Sequence, residues 1–117
     1  MILLVEDEAI TRSAFADALR MEGEEVIQAD GIQALSLLDK SHVDLVITDL
    51  VMPRLNGFEL VGKIRSKWPH IPLLLISAYM SQERGSIISS GSAEFLHKPI
   101  DPPELVATVQ RLLPNLH

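Results

Sequence analysis

Leu45-Val46-Ile47-Thr48-Asp49-Leu50-Val51-Met52-Pro53 is the stretch on which the fold turns. Three aliphatic residues in a row, with no polar alternation, read as a strand buried on both faces; a strand with one wet face would show a polar residue at every second position. The run closes directly on Thr48 and Asp49. A carboxylate there stands at the carboxyl end of a doubly buried strand, which is where an open parallel sheet binds ligands. The Pro53 to Gly57 segment then reads as a loop.

The same pattern recurs on either side. Ile2-Leu3-Leu4-Val5, Val26-Ile27-Gln28-Ala29, Leu73-Leu74-Leu75-Ile76 and Glu94-Phe95-Leu96 read as four further strands. Helical patterns separate them. Residues 9–21 carry Ile10, Ala14, Ala18 and Met21 on one face and end at Gly23. Asp30 with Gln33 forms a capping-box pattern ahead of Ala34, Leu35, Leu37 and Leu38. Phe58, Val61, Ile64 and Trp68 mark a third helix, stopped by Pro69. Residues 81–90, with Gly85 and several serines, make a weak fourth. Asp101-Pro102-Pro103-Glu104 is a helix start, with Leu105, Val109, Leu112 and Leu113 as the apolar stripe and Pro114 at the end. Five strands alternating with five helices imply an α/β fold: a doubly wound, five-stranded parallel sheet with helices on both faces, as a single domain over 1–117.

Composition narrows the function. Aromatics are only 4% of the 117 residues, so the core must be aliphatic. With no cysteine, disulfides and thiolate metal sites are excluded. A net charge of −6 opposes direct binding to nucleic acid. No apolar run is long enough to span a membrane, and Met1 to Val5 is too short for a signal peptide. A cytoplasmic setting fits these features. The four histidines, His42, His70, His97 and His117, show no metal-ligand spacing and read as surface residues.

In strand order 2-1-3-4-5, the ends of strands 1, 3, 4 and 5 are neighbours. They carry Glu6 and Asp7, Asp49, Ser77, and Lys98 respectively. Clustered carboxylates raise one another's pKa unless a cation is present, and an all-oxygen set suits a hard divalent ion. Lys98 supplies a point charge for a phosphate oxygen and Ser77 one hydroxyl donor. Phosphoryl transfer to a carboxylate needs mainly this positioning and charge stabilisation. Taken singly, each residue has a plainer reading: Asp49 as a turn acid, Glu6-Asp7-Glu8 as a solvated acidic turn, Ser77 as a cap, Lys98 as one of ten basic residues.

At this point the chain resembles the receiver domain of bacterial response regulators, over roughly residues 1–113. The matching text is Leu4-Val5-Glu6-Asp7-Glu8, Thr48-Asp49-Leu50-Val51-Met52-Pro53 with Gly57, Ile76-Ser77-Ala78, and Phe95-Leu96-His97-Lys98-Pro99. The resemblance implies a flavodoxin-like fold and a phosphoacceptor signalling domain rather than an independent enzyme. Asp49 would be phosphorylated by a sensor histidine kinase or a histidine phosphotransfer domain. Glu6, Asp7, Asp49 and the Val51 backbone carbonyl would hold Mg2+ (or Mn2+). Ser77 and Lys98 would contact the phosphoryl oxygens, with Ser77 and Phe95 acting in a switch toward an output domain or protein partner. The Lys98-Pro99 bond would be cis, and homodimer formation stays open.

Three positions bend the pattern: Glu6 for the commoner Asp, Phe95 for the commoner Tyr, and apolar Val51 two residues after the acceptor, which offers no group to position an attacking water. Other readings meet obstacles. A dehalogenase-type phosphatase needs a second Asp where Val51 stands. A flavin binder needs a phosphate-holding loop where Glu6, Asp7 and Glu8 would repel one. A receiver that is never phosphorylated would have no use for Asp49, Asp7 and Lys98 together. A receiver within a hybrid kinase, passing phosphate onward, is the alternative inside the family.

Overall fold

The computed structural model describes residues 1–52, 55–78 and 93–113. Its main sheet holds β1 (Ile2–Val5), β2 (Val26–Ala29), β3 (Leu45–Asp49), β4 (Leu73–Ser77) and β5 (Ala93–His97), all parallel, in the order β2-β1-β3-β4-β5. Four helices are described: α1 (Ala9–Met21), α2 (Ala34–Lys40), α3 (Gly57–Lys67) and α4 (Pro102–Leu112). The helix expected over 81–90 lies outside the described residues, as does Pro114. No helix among the described residues is long and apolar enough to cross a membrane.

The continuous aliphatic runs follow from burial on both faces. Leu3, Val5, Val46, Leu73 and Leu75 enter one core with α2 and α3, while Ile2, Leu4, Leu45, Ile47, Leu74 and Ile76 enter the other with α1 and α4. Alternate residues of β1, β3 and β4 thus feed opposite cores, which leaves no place for a charged side chain in these three strands until their carboxyl ends.

Helix boundaries follow local chemistry. Gly23, at φ 89, takes the left-handed position after α1; its N–H donates to the Arg20 carbonyl at 3.0 Å and that of Glu24 to Leu19 at 3.2 Å. The Asp30–Gln33 bonds are reciprocal, Asp30 Oδ1 accepting from the Gln33 N–H at 3.0 Å and Gln33 Oε1 from the Asp30 N–H at 3.3 Å, but they close the turn ahead of α2, whose N-cap Gln33 makes no side-chain cap. Asn56 caps α3 through the Phe58 N–H at 2.9 Å. Trp68 closes α3 and packs against the first core, as an anchor. His42, His70 and His97 are exposed, and His117 lies outside the described residues.

Two local expectations change. The face of α1 read as Ile10, Ala14, Ala18 and Met21 is turned outward, with Ile10 82% and Met21 85% exposed. The helix buries Phe15, Ala16 and Leu19 instead, because the larger Phe15 and Leu19 displace the smaller alanines from the sheet. Asp101 heads α4 without a side-chain cap. Pro103 has no N–H to offer, and that of Glu104 already donates to the Asp101 carbonyl at 3.0 Å. The loop after Asp49 also contains more order than expected: Val51–Met52 pairs antiparallel with Leu55–Asn56.

Candidate functional site

The ladder registers put the polar strand ends side by side. Val5 pairs with Thr48, so the next residues, Glu6 and Asp49, come level on adjacent strands. Asp49 pairs with Ile76, and Ser77 with His97. The Lys98 N–H then donates to the Ser77 carbonyl at 2.8 Å, which brings Lys98 in from the β5 edge. Its Nζ donates to Asp49 Oδ2 at 2.6 Å and to Glu6 Oε2 at 3.4 Å. The Lys98–Pro99 bond is cis.

Water is largely excluded here: Glu6 is 3%, Asp49 4% and Ser77 3% exposed. Two carboxylates therefore share one ammonium in a poorly solvated place, and the local balance stays negative. Burial pushes the Glu6 carboxyl above its ordinary value and the Asp49 charge pushes it further, against the opposing effects of the Glu8 N–H and Lys98. Burial alone would lower Lys98. Its hydrogen bond and attraction to Asp49, then to Glu6, outweigh that and hold the ammonium above its ordinary value.

Surplus negative charge on oxygen donors fits a hard divalent cation. Yet among the described residues no three His, Cys, Asp or Glu side chains come together as a metal-holding group. Asp7 Oδ1 instead accepts the Gly31 N–H at 3.3 Å, tying it to the loop after β2. Thus Glu6, Asp49, Ser77 and Lys98 converge, with Asp7 at the margin. Val51 begins the short hairpin strand one residue past Leu50. Phe95 is buried in the first core, opposite Leu75 in the ladder.

Gly57 secures the other wall. A Cβ at this position would fall inside contact distance of the Leu50 backbone, and the Gly57 N–H donates to the Leu50 carbonyl at 3.1 Å. Beside Lys98 a groove of about 500 Å³ opens between α1 and the segment after β5, lined by Ile10, Thr11, Phe15, Pro99 and Ile100. Sequence reasoning did not identify the Gly31 N–H or Arg12. The Arg12 Nη1 donates to the Glu6 carbonyl at 2.6 Å. Its signal in the sequence is a cation near the start of a helix, where the dipole disfavours one.

Comparison with known proteins agrees with this geometry. The family model described as response regulator receiver domain matches residues 2–110. The response regulator protein FleR of Pseudomonas aeruginosa is 38% identical over 112 residues; the match covers 94% of this chain and 24% of FleR, so the chain spans about a quarter of that relative. Among solved structures, the chemotaxis protein CheY4 of Vibrio cholerae superposes with a TM-score of 0.85 at 34% identity, covering 96% of this chain and 97% of CheY4. The response regulator protein TrrA of Thermotoga maritima, solved in complex with Mg(2+)-BeF, gives 0.82 at 33% identity, covering 96% and 97%.

Proposed function

Since the chain belongs to the response regulator receiver family, and so is a signalling domain of two-component systems with a flavodoxin-like fold, we propose that Asp49 accepts a phosphoryl group from a phosphohistidine on a sensor kinase or histidine phosphotransfer domain. The observation that carries this is Lys98 Nζ held 2.6 Å from Asp49 Oδ2 in a buried site. An Asp49 oxygen attacks phosphorus in line with the departing imidazole. The new O–P bond replaces the N–P bond, and the histidine ring leaves neutral, its proton supplied from solvent. Lys98 follows the negative charge from the carboxylate onto a phosphoryl oxygen, and the Ser77 hydroxyl donates to another.

Glu6, Asp7, Asp49 and the Val51 carbonyl would hold Mg2+ (or Mn2+), with Asp7 turning in from its Gly31 contact, and the ion would offset the negative charge that gathers as the phosphoryl group arrives. The Mg(2+)-BeF complex of TrrA supports this assignment. The groove lined by Ile10, Pro99 and Ile100 gives the phosphodonor protein an apolar surface beside Lys98. Pulling Ser77 and Lys98 toward the phosphoryl group biases the segment that follows β4 and the Phe95 ring, and an output domain or protein partner reads that change.

Incubation with acetyl phosphate and Mg2+, followed by intact-mass measurement, tests the reading. One phosphoryl adduct is expected on the wild type and none on Asp49→Asn. An adduct that persists in Asp49→Asn, or none on the wild type, removes it.

A further inference from the structure

We infer that Arg12 is a positioning residue for the acidic turn after β1: its guanidinium fixes the Glu6 main chain and so sets where the Glu6 and Asp7 carboxylates stand for a divalent cation. The inference rests on the metal reading given above. Arg12 sits in the opening turns of α1, and its Nη1 reaches back six residues to the Glu6 carbonyl at 2.6 Å in a partly buried position. Glu6, Asp7 and Glu8 all flank that turn. Among the described residues, however, Arg12 forms no ion pair with any of them. A cation surrounded by acids that binds a neutral carbonyl is serving geometry rather than neutralisation.

Two further observations agree. A positive side chain near a helix N-terminus works against the helix dipole, so its presence needs a compensating contact, and the Glu6 carbonyl supplies one. The rest of residue 6 is also held. Its N–H donates to the Ala29 carbonyl at 3.1 Å, and its Oε1 accepts from the Glu8 N–H at 3.1 Å. Arg12 completes the main-chain bonding of this residue from six positions along the chain. Releasing the Glu6 carbonyl frees the Glu6–Asp7 peptide to rotate, which moves both carboxylates at once.

The sign of one measurement decides the matter. Calorimetric titration with Mg2+ alone, on the full chain, compares wild type with Arg12→Met and Arg12→Lys. Arg12→Met keeps most of the apolar stem and loses the donor; its Mg2+ dissociation constant is expected to weaken about tenfold, as for other outer-sphere anchors. Arg12→Lys keeps the charge but not the planar fork, and is expected to weaken it about threefold. Tighter binding in Arg12→Met would mean that Arg12 acts only as a like charge repelling the ion, and overturns the inference. An unchanged dissociation constant with a lower Tm would make Arg12 a structural strut and also overturns it, leaving the metal reading intact. A wild type that binds no Mg2+ overturns both. Should Arg12→Met not fold, Arg12→Lys decides on the same terms.

Discussion

The two ends of the sheet treat charge differently. At the amino-terminal rim, the Met1 amine meets Asp44 at 2.6 Å, His42 approaches Asp44 at 3.4 Å, and Lys67 meets Asp39 at 3.0 Å. Water reaches these groups, and each carboxylate has an ammonium of its own, with His42 as a second neighbour of Asp44; the Lys67 and Asp39 side chains are 60% and 55% exposed. At the carboxyl-terminal rim, Lys98 is shared between two carboxylates whose side chains are 4% and 6% exposed. The first arrangement balances itself. The second holds an excess of buried negative charge, an arrangement selected for something other than stability.

Breaking the second arrangement should have the largest effect. Lys98→Met leaves Glu6 and Asp49 buried with no cation, which is expected to cost about 3 kcal/mol, read by urea denaturation at neutral pH. The Lys98 value is raised on folding, so its contribution is full below the ordinary lysine value of 10.5 and fades as pH climbs through the raised folded value. The wild type and Lys98→Met curves should therefore converge only at strongly alkaline pH; a gap already closed at pH 8 would show that the ammonium is not what holds the site.

Gly57→Ala tests the wall behind it. The added methyl must push the Leu50 backbone away, and a loss of about 2 kcal/mol is expected. A neutral result in thermal unfolding would mean that the segment from Leu50 to Gly57 yields easily.

Glu6→Gln goes the other way. Folding raises the Glu6 value, so the folded state binds this proton more tightly than the unfolded one. The native state gains nothing from ionised Glu6 at neutral pH and recovers stability as pH falls through the raised value toward the ordinary 4.5. Removing the charge should raise Tm by a few degrees at pH 7, with the gain vanishing near pH 4. A lower Tm at pH 7 would contradict this. The smallest effect belongs to the other rim: Asp39→Asn should change stability by no more than about 0.5 kcal/mol. A larger loss would erase the contrast between the two ends.

Much of this contrast was legible in the sequence because it rests on strand ends. Doubly buried strands disfavour charged residues internally, and the polar Thr48 inside β3 is accommodated by donating its hydroxyl to the Asp49 carbonyl, so Glu6, Asp49, Ser77 and Lys98 fall where the strands finish. The weaker readings were those that depend on direction within an element. For α1 the apolar spacing suited two adjacent faces, and the bulk of Phe15 and Leu19 decided between them. At Asp101 the residue type suggested a cap, but Pro103 offers no N–H and that of Glu104 goes to the Asp101 main-chain carbonyl instead.

By itself, the sequence determined the layered α/β architecture, its single acidic rim and the family, since hydrophobic period and the identity of strand-end residues are local properties. Only the tertiary structure decided which groups meet. Lys98 lies 49 residues from Asp49 and 92 from Glu6 along the chain. Their encounter is set by ladder register and by the reach of one flexible side chain. The turn of Asp7 toward Gly31 and of Arg12 toward the Glu6 carbonyl is set in the same way. Such contacts are chosen by the competition for partners in a crowded, poorly solvated place, and no spacing rule along the chain encodes that competition.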